Sequence, residues 1–191
     1  MKPAAFSAGA FRAVELGPAD EAALQRFFEA NPGYFLAVQG EPAAADAAHE
    51  ELHGQPPADW PWTRQWQFGF VDAGGELVAM TDLVVDLLAP GVWHIGLFVV
   101  ATPLHGGGAP RALYAALEDW MRAQGAQWLR LGVVLGNERA ERFWERNGYA
   151  QMCRREGIAM GQRINTVRVM MKPLAGGTTE QYLALVERDR P

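Results

Sequence analysis

The alternation of apolar and polar positions lays out the elements before composition is considered. FRAVEL (11–16) has the two-residue period of a strand. In PADEAALQRFFEA (18–30), Ala23, Leu24, Phe27 and Phe28 recur at helical spacing, and Asn31-Pro32 stops the run. NPGYFLAV reads as a short turn or helix. AAADAAHEELH (43–53) reads as a second, acidic helix ended by Gly54, and QPPADWPW as a loop built on Pro and Trp. RQWQFGFVD (64–72) and ELVAMTDLVVDLL (76–88) flank Ala73-Gly74-Gly75 as a predicted hairpin, and Ala89-Pro90-Gly91 turns the chain into the strand VWHIGLFVV (92–100). After a glycine cluster comes the clearest helix, APRALYAALEDWMRAQ (109–124). Leu113, Ala116, Leu117, Trp120 and Met121 form its apolar face and Gly125 its stop. WLRLGVVL (128–135) is a strand, NERAERFWERN a short helix stopped by Gly148, and two more strands lie near 150–160 and 163–171. The tail from Pro173 holds one further helical pattern, TTEQYLALVER.

This order is mixed α and β. The strand–helix–strand unit over 92–135 should form a parallel, right-handed crossover. No solenoid-like repeat and no long linker interrupts it, so a single domain over residues 1–172 with a tail at 173–191 is expected.

Composition narrows the function classes. The lone cysteine, Cys153, excludes an intramolecular disulfide framework and any multi-cysteine zinc or iron–sulfur site. MKPAAFSAGAFR has too short an apolar stretch for a secretory signal. The longest apolar region is broken by Asp82, Asp86, Pro90 and His94, whereas a membrane span needs about 20 nearly uninterrupted apolar residues. The expected protein is therefore cytoplasmic, with no membrane or nucleic-acid partner. The net charge of −5 conceals a division. Residues 1–90 carry 13 acidic and 4 basic side chains (−9), and residues 91–191 carry 9 and 13 (+4). That asymmetry suggests two surfaces with different partners, although a solvated face explains it as well.

The chemistry is concentrated between Gly96 and Tyr149. A strand ending in LFVV leads through ATPLHGGGAP into the long helix. Consecutive glycines let the backbone approach a ligand, and the free N–H groups of the helix start favour an anion. Pro110 suits a first-turn position because its missing N–H would be unpaired there. A phosphate is the natural ligand. A nucleoside-triphosphate loop needs Gly-Lys-Ser/Thr, yet no lysine lies within 91–171. A dinucleotide fingerprint fits poorly. His-Gly-Gly-Gly spells the oxyanion loop of some esterases, which need a G-x-S-x-G nucleophile, but Ser7 is the only serine.

Two motifs carry a resemblance to the GNAT superfamily of acetyl-CoA-dependent N-acetyltransferases. The family's Arg/Gln-x-x-Gly-x-Gly/Ala turn is met by His105-Gly106-Gly107-Gly108-Ala109-Pro110, with His for Arg/Gln and Pro for the last small residue. A one-residue shift puts Gly107 and Ala109 in the glycine slots instead. The family's L-x-V-x-x-x-N-x-x-A-x-x-F-Y-x-x-x-G-F is met by Leu131, Val133, Asn137, Ala140, Phe143-Trp144 and Gly148-Tyr149, with every spacing kept. The resemblance covers most of residues 10–172 and excludes the tail.

It implies an α/β fold with a central mixed sheet of six or seven strands flanked by helices, and acetyl (or small acyl) transfer from acetyl-CoA to a primary amine. The implied partners are acetyl-CoA and a small amine or peptide amine, with no metal; a homodimer stays open. By the same resemblance, Phe98, Val99 and Val100 offer backbone groups to the pantetheine arm. His105, Gly106, Gly107, Gly108, Ala109, Pro110 and Arg111 cradle the pyrophosphate. Asn137, Phe143 and Trp144 border the thiol end, although Asn137 also suits a helix N-cap and Phe143 a core position. The tyrosine that family members often use to protonate the thiolate is Trp144 here, which donates no catalytic proton; a thiol that ionises near pH 8.5 leaves as its thiolate with little help. His94 is the expected base, since imidazole titrates in the right range. A satisfied strand histidine is the plain alternative, and Asp82 and Asp86 are further candidates. Arg111, Arg139, Arg142 and Arg146 place positive charge where a polyanionic CoA should dock.

Two other readings compete. His49-Glu50-Glu51-Leu52-His53 spells H-E-x-x-H, the zinc-peptidase motif with both histidines on one helix face. Gly54-Gln55-Pro56-Pro57 ends that helix at once, and no convincing third ligand follows. The other is a degenerate domain of the same family that binds CoA or a protein partner without turnover, motivated by the missing arginine and tyrosine.

Overall fold

The computed structural model describes residues 5–191, so the first four positions of MKPAAFSAGAFR lie outside the described residues. The elements are β1 (Phe6–Ala8), β2 (Phe11–Glu15), α1 (Glu21–Ala30), α2 (Gly33–Val38), α3 (Ala47–His53), β3 (Arg64–Val71), β4 (Leu77–Val85), β5 (Val92–Val100), α4 (Ala109–Ala123), β6 (Trp128–Val134), α5 (Glu138–Arg146), β7 (Ala150–Met160), β8 (Arg163–Pro173) and α6 (Thr179–Leu185). The strands form one sheet in the order β1-β2-β3-β4-β5-β6-β8-β7. Every pairing is antiparallel except β5–β6, which the α4 crossover joins in parallel. The sheet is thus mixed, as expected, but has eight strands rather than six or seven. The extra one, β1, has three residues, and Phe6 fixes it by packing against Phe68, Phe70 and Trp120. No local periodicity marks so short a segment.

Two apolar layers sandwich the sheet. On one face, Leu113, Leu117 and Met121 of α4 pack against Trp93, Ile95, Leu129 and Leu131. On the other, Leu24, Phe27 and Phe28 of α1 and Phe35 of α2 pack against Met80, Leu97 and Val99. The chain after β8 docks on the sheet as well. Tyr182 and Val186 are buried with Trp128, Met152 and Met171. Buried Asp189 accepts from Arg130 Nε at 2.8 Å and Nη2 at 3.0 Å, and from the Tyr182 hydroxyl at 2.6 Å. A buried charge pair persists only when its hydrogen bonds are satisfied, as they are here.

Two irregularities position the site. First, the β4–β5 register slips: Asp82 pairs with Leu97 and Leu83 with Ile95, so Gly96 bulges out between them. The bulge keeps Ile95 and Phe98 on the α4 face and sends Leu97 and Val99 to the α1 face. Second, β5 pairs with β6 only over Val92–Ile95 and Trp128–Leu131. Beyond Ile95 the two central strands part.

Candidate functional site

The parting strands open a cleft of about 590 Å³. Its lining includes Phe98, Val99, Val100, His105, Gly106, Pro110, Arg111, Asn137, Phe143 and Trp144. The structure therefore brings most of the expected cofactor residues together. Gly107, Gly108 and Ala109 belong to the same turn without lining the cleft.

Each part is shaped locally. The Ala101 N–H donates to the Val78 carbonyl. In the alternating antiparallel ladder this turns the Phe98 and Val100 backbone groups away from β4, toward the split. Gly106 and Gly108 take positive φ (+83° and +81°), and Gly108 is the residue from which α4 starts. A Cβ added at Gly106, Gly107 or Gly108 meets no atom within 4 Å, so packing does not demand these glycines. A left-handed Gly108 directly before Ala109 favours the unshifted register of the glycine motif. Pro110 then occupies the first turn of α4, where one backbone donor is missing.

Four arginines, Arg111, Arg139, Arg142 and Arg146, line the cleft. The His105 Nε2–H donates to the Val100 carbonyl at 2.9 Å, which leaves Nδ1 to accept from Arg139 Nη1 at 3.0 Å. His105 thus holds a guanidinium from α5 beside the turn where the family pattern has its own Arg or Gln. Arg142 is tethered to Glu138 at 2.8 Å, whereas Arg111 and Arg146 have no ion-pair partner among the described residues. Asn137 caps α5, its Oδ1 accepting from the Ala140 N–H at 3.3 Å, and also lines the cleft, so both of its expected roles are compatible. Phe143 stacks on Phe98 at 5.9 Å and Trp144 is buried beside Tyr114 and Tyr149. The phenols nearest Trp144 bond to each other, Tyr114 donating to Tyr149 at 3.0 Å, and burial raises the pKa of each.

The expected base lies elsewhere. His94 is not among the cleft-lining residues. Its Nδ1 accepts from Arg130 Nη1 at 3.3 Å, and burial and the Arg130 charge push its pKa down to about 3. An imidazole that is neutral down to such pH is a poor acceptor for an ammonium proton near neutrality. Asp86 is a turn former, bonding Gly91 N–H at 2.7 Å and the Thr63 hydroxyl at 2.9 Å.

Asp82, like His94, is not among the cleft-lining residues, but its setting differs. It is buried on the α1 face of β4, accepts from Gln65 Nε2 at 2.7 Å, and hangs over Gly96, where an added Cβ would sit 2.5 Å from Oδ2. A side chain at Gly96 would force this carboxylate to move. Gly96 is itself exposed although it lies inside a nine-residue central strand, at the point where β5 leaves β6. Burial raises the Asp82 pKa to about 6. Glu51 of α3 is raised to about 8 by burial and by Asp82, and its charge joins burial in raising Tyr34, a cleft-lining residue.

Sequence reading passed over Asn31, Gly33, Tyr34 and Thr102, which also line the cleft. Asn31, read as a helix stop, is buried. It donates to the Phe27 carbonyl at 2.8 Å and accepts from the Thr102 N–H at 2.7 Å, fixing the end of α1 to the loop after β5. The H-E-x-x-H pair lies outside the cleft, on the outer side of α3. Its nearest carboxylate is upstream: Glu21 of α1, with Oε2 3.1 Å from His49 Nδ1.

A sequence profile of the acetyltransferase (GNAT) family matches residues 41–149. No curated protein matches the chain. Among solved structures, an acetyltransferase from Thermus thermophilus is similar, with 22% identity over 86% of this chain and 97% of its own and a TM-score of 0.67. So is a spermidine N-acetyltransferase from Vibrio cholerae solved with CoA and spermine (17%, 86% and 96%, 0.65). The ribosomal-protein-S18-alanine N-acetyltransferase of Escherichia coli is a third (15%, 88% and 97%, 0.62).

Proposed function

The chain belongs to the acetyltransferase (GNAT) family of acyltransferases, and from that premise we propose that it acetylates a primary amine with acetyl-CoA, Asp82 acting as the base. The observation that carries this reading is the split between β5 and β6. Gly106 of the glycine turn and four arginines line the cleft it opens, and the buried Asp82 carboxylate, outside that lining, lies over exposed Gly96, the first residue of β5 beyond the pairing with β6.

The residues fit CoA. The open N–H groups of the glycine turn and of the first turn of α4 suit a pyrophosphate, with Arg139 beside them replacing the donor that Pro110 removes. Phe98 presents its backbone N–H and carbonyl, and Val100 its N–H, the Val100 carbonyl already accepting from His105, as groups suited to the amide-bearing pantetheine arm. Acetyl-CoA supplies the activated thioester. Asp82, ionised above about pH 6, accepts the ammonium proton and frees the nitrogen lone pair for attack. Gln65 holds the carboxylate in place. Trp144 offers no acid, so the thiol leaves as its thiolate.

Asp82, ionised at neutral pH beside a Glu51 that keeps its proton up to about pH 8, favours a cationic acceptor. This agrees with the names of two structural neighbours, which specify spermidine and a ribosomal-protein alanine. The test is thiol release from acetyl-CoA across polyamines, amino acids and peptide N-termini. Saturable release coupled to N-acetylation of one class is expected. Acetyl-CoA binding without release from any amine would instead support the non-catalytic reading that Trp144 motivates.

A further inference from the structure

We propose that His49, His53 and Glu21 form a surface site for one late divalent transition metal ion, zinc being the probe of choice, which staples α1 to α3. The inference is independent of the acyltransfer reading, because none of the three side chains lines the cleft.

The geometry is that of a site already drawn together. His49 and His53 are one helical turn apart on α3, so their rings share a face and stand 4.4 Å apart. Glu21, at the start of α1, points one carboxylate oxygen at both: Oε2 is 3.1 Å from His49 Nδ1 and 3.9 Å from His53 Nε2. All three donor atoms lie within 4.8 Å of one another. Metal–ligand distances of about 2.0–2.2 Å at tetrahedral angles put neighbouring donors about 3.4 Å apart. Small rotamer changes therefore bring these atoms onto an ion. Two imidazole nitrogens and one carboxylate oxygen select zinc, cobalt, nickel or copper over magnesium and calcium, which prefer oxygen donors. The side chains are about half exposed (52%, 45% and 40%), so water completes the coordination shell.

The scaffold is ordered independently of the ligands. Gln25, one turn beyond Glu21 on α1, accepts from the Ala48 N–H at 3.0 Å and donates to the Ala44 carbonyl at 2.9 Å. Ala48 is fully buried against α1. The two helices are thus held in register beside the donors. Glu51 lies between the two histidines in sequence, and its carbonyl accepts from Gln67 of β3. An ion at this site fixes the helix that carries Glu51, so the staple is structural.

This arrangement also separates the motif from a zinc peptidase. The third donor comes from an upstream helix, and none of the three donors lines the cleft between β5 and β6. The H-E-x-x-H spelling keeps its metal chemistry and loses its catalytic one.

The test uses the full chain without an affinity tag, stripped with chelator and titrated with zinc chloride by calorimetry. One zinc per chain is expected. His49→Ala and His53→Ala should each weaken binding by more than about 100-fold, beyond what losing an outer-shell partner costs, and Glu21→Gln by at least about tenfold. Cobalt(II) should give the visible d–d absorption of a four- or five-coordinate ion, absent in His53→Ala. Saturating zinc should raise the Tm of the wild type and not of the variants. Circular dichroism checks that each variant is folded, and three separate substitutions keep the test intact if one is not. Failure to bind stoichiometric zinc, or unaltered binding in the His49→Ala/His53→Ala double variant, would overturn the proposal.

Discussion

Replacing Asp82 with asparagine should lower activity and raise stability at the same time. The carboxylate is almost fully buried and its pKa moves from 3.8 to about 6, with burial as the first cause. A raised carboxyl pKa means that the fold binds this proton more tightly than the unfolded chain does. Ionised Asp82 therefore costs stability, the cost growing between pH 3.8 and about 6 and staying constant above. That interval corresponds to about 3 kcal/mol. Asparagine keeps the acceptor for Gln65 but adds an N–H₂ with no assured partner over Gly96, a loss of about 1 kcal/mol. The net gain at pH 8 is then about 2 kcal/mol, or on the order of 4–8 °C in Tm for a chain of this size. Below pH 4 the gain should vanish and turn slightly negative. Amine-dependent thiol release should fall by about 10²–10⁴ if Asp82 is the base, and the rise of kcat/KM through pH 6 should disappear. Thermal melts at pH 4 and 8, with rates from pH 5 to 9, test both arms. A lower Tm than wild type at pH 8, or an unchanged pH–rate profile, would refute the reasoning.

Other substitutions probe the remaining parts. Arg139→Ala should raise the KM for acetyl-CoA about 10- to 100-fold with kcat little altered, as loss of one charge-assisted phosphate contact demands; steady-state kinetics read it. The dissociation constant for CoA, measured by calorimetry, should increase as salt screens the four cleft arginines. His94→Gln should leave the shape of the activity profile intact. Because His94 is held neutral down to about pH 3 while an unfolded histidine charges near 6.5, wild-type stability should fall as pH drops through that window, and His94→Gln should flatten the fall in urea titrations. Asp189→Ala should cost about 3–5 kcal/mol by stranding buried Arg130, measured by urea denaturation.

What could be read from the chain was local. The α5 motif was legible because Asn137, Phe143-Trp144 and Gly148 sit at fixed offsets along one cap, helix and stop. The α4 face was legible for the same reason. The cradle could be read as a glycine turn before a helix, but its register depended on which glycine adopts positive φ. What escaped was long-range. Asp82, Glu51 and Tyr34 come from a strand and two helices, and only the fold brings their charges together. Asn31 meets Thr102 across 71 residues, Arg139 meets His105 across 34, and Arg130 meets Asp189 across 59. His94 looked like a base because residue type says nothing about a neighbouring arginine. The charge division was visible from the start, and the cleft gives its basic half a location. Glu21 explains why H-E-x-x-H lacked a third ligand: the donor lies 28 residues upstream of His49.

The central claim is that CoA lies in the split between β5 and β6, and a crystal structure of the complex tests it most directly. The account predicts the pyrophosphate on the N–H groups of the turn from Gly106 to Ala109 with the Arg139 guanidinium beside it. It also predicts the pantetheine arm along Phe98–Val100 and the sulfur directed toward Gly96 and Asp82. CoA bound elsewhere, or a glycine turn that leaves the pyrophosphate untouched, would contradict it.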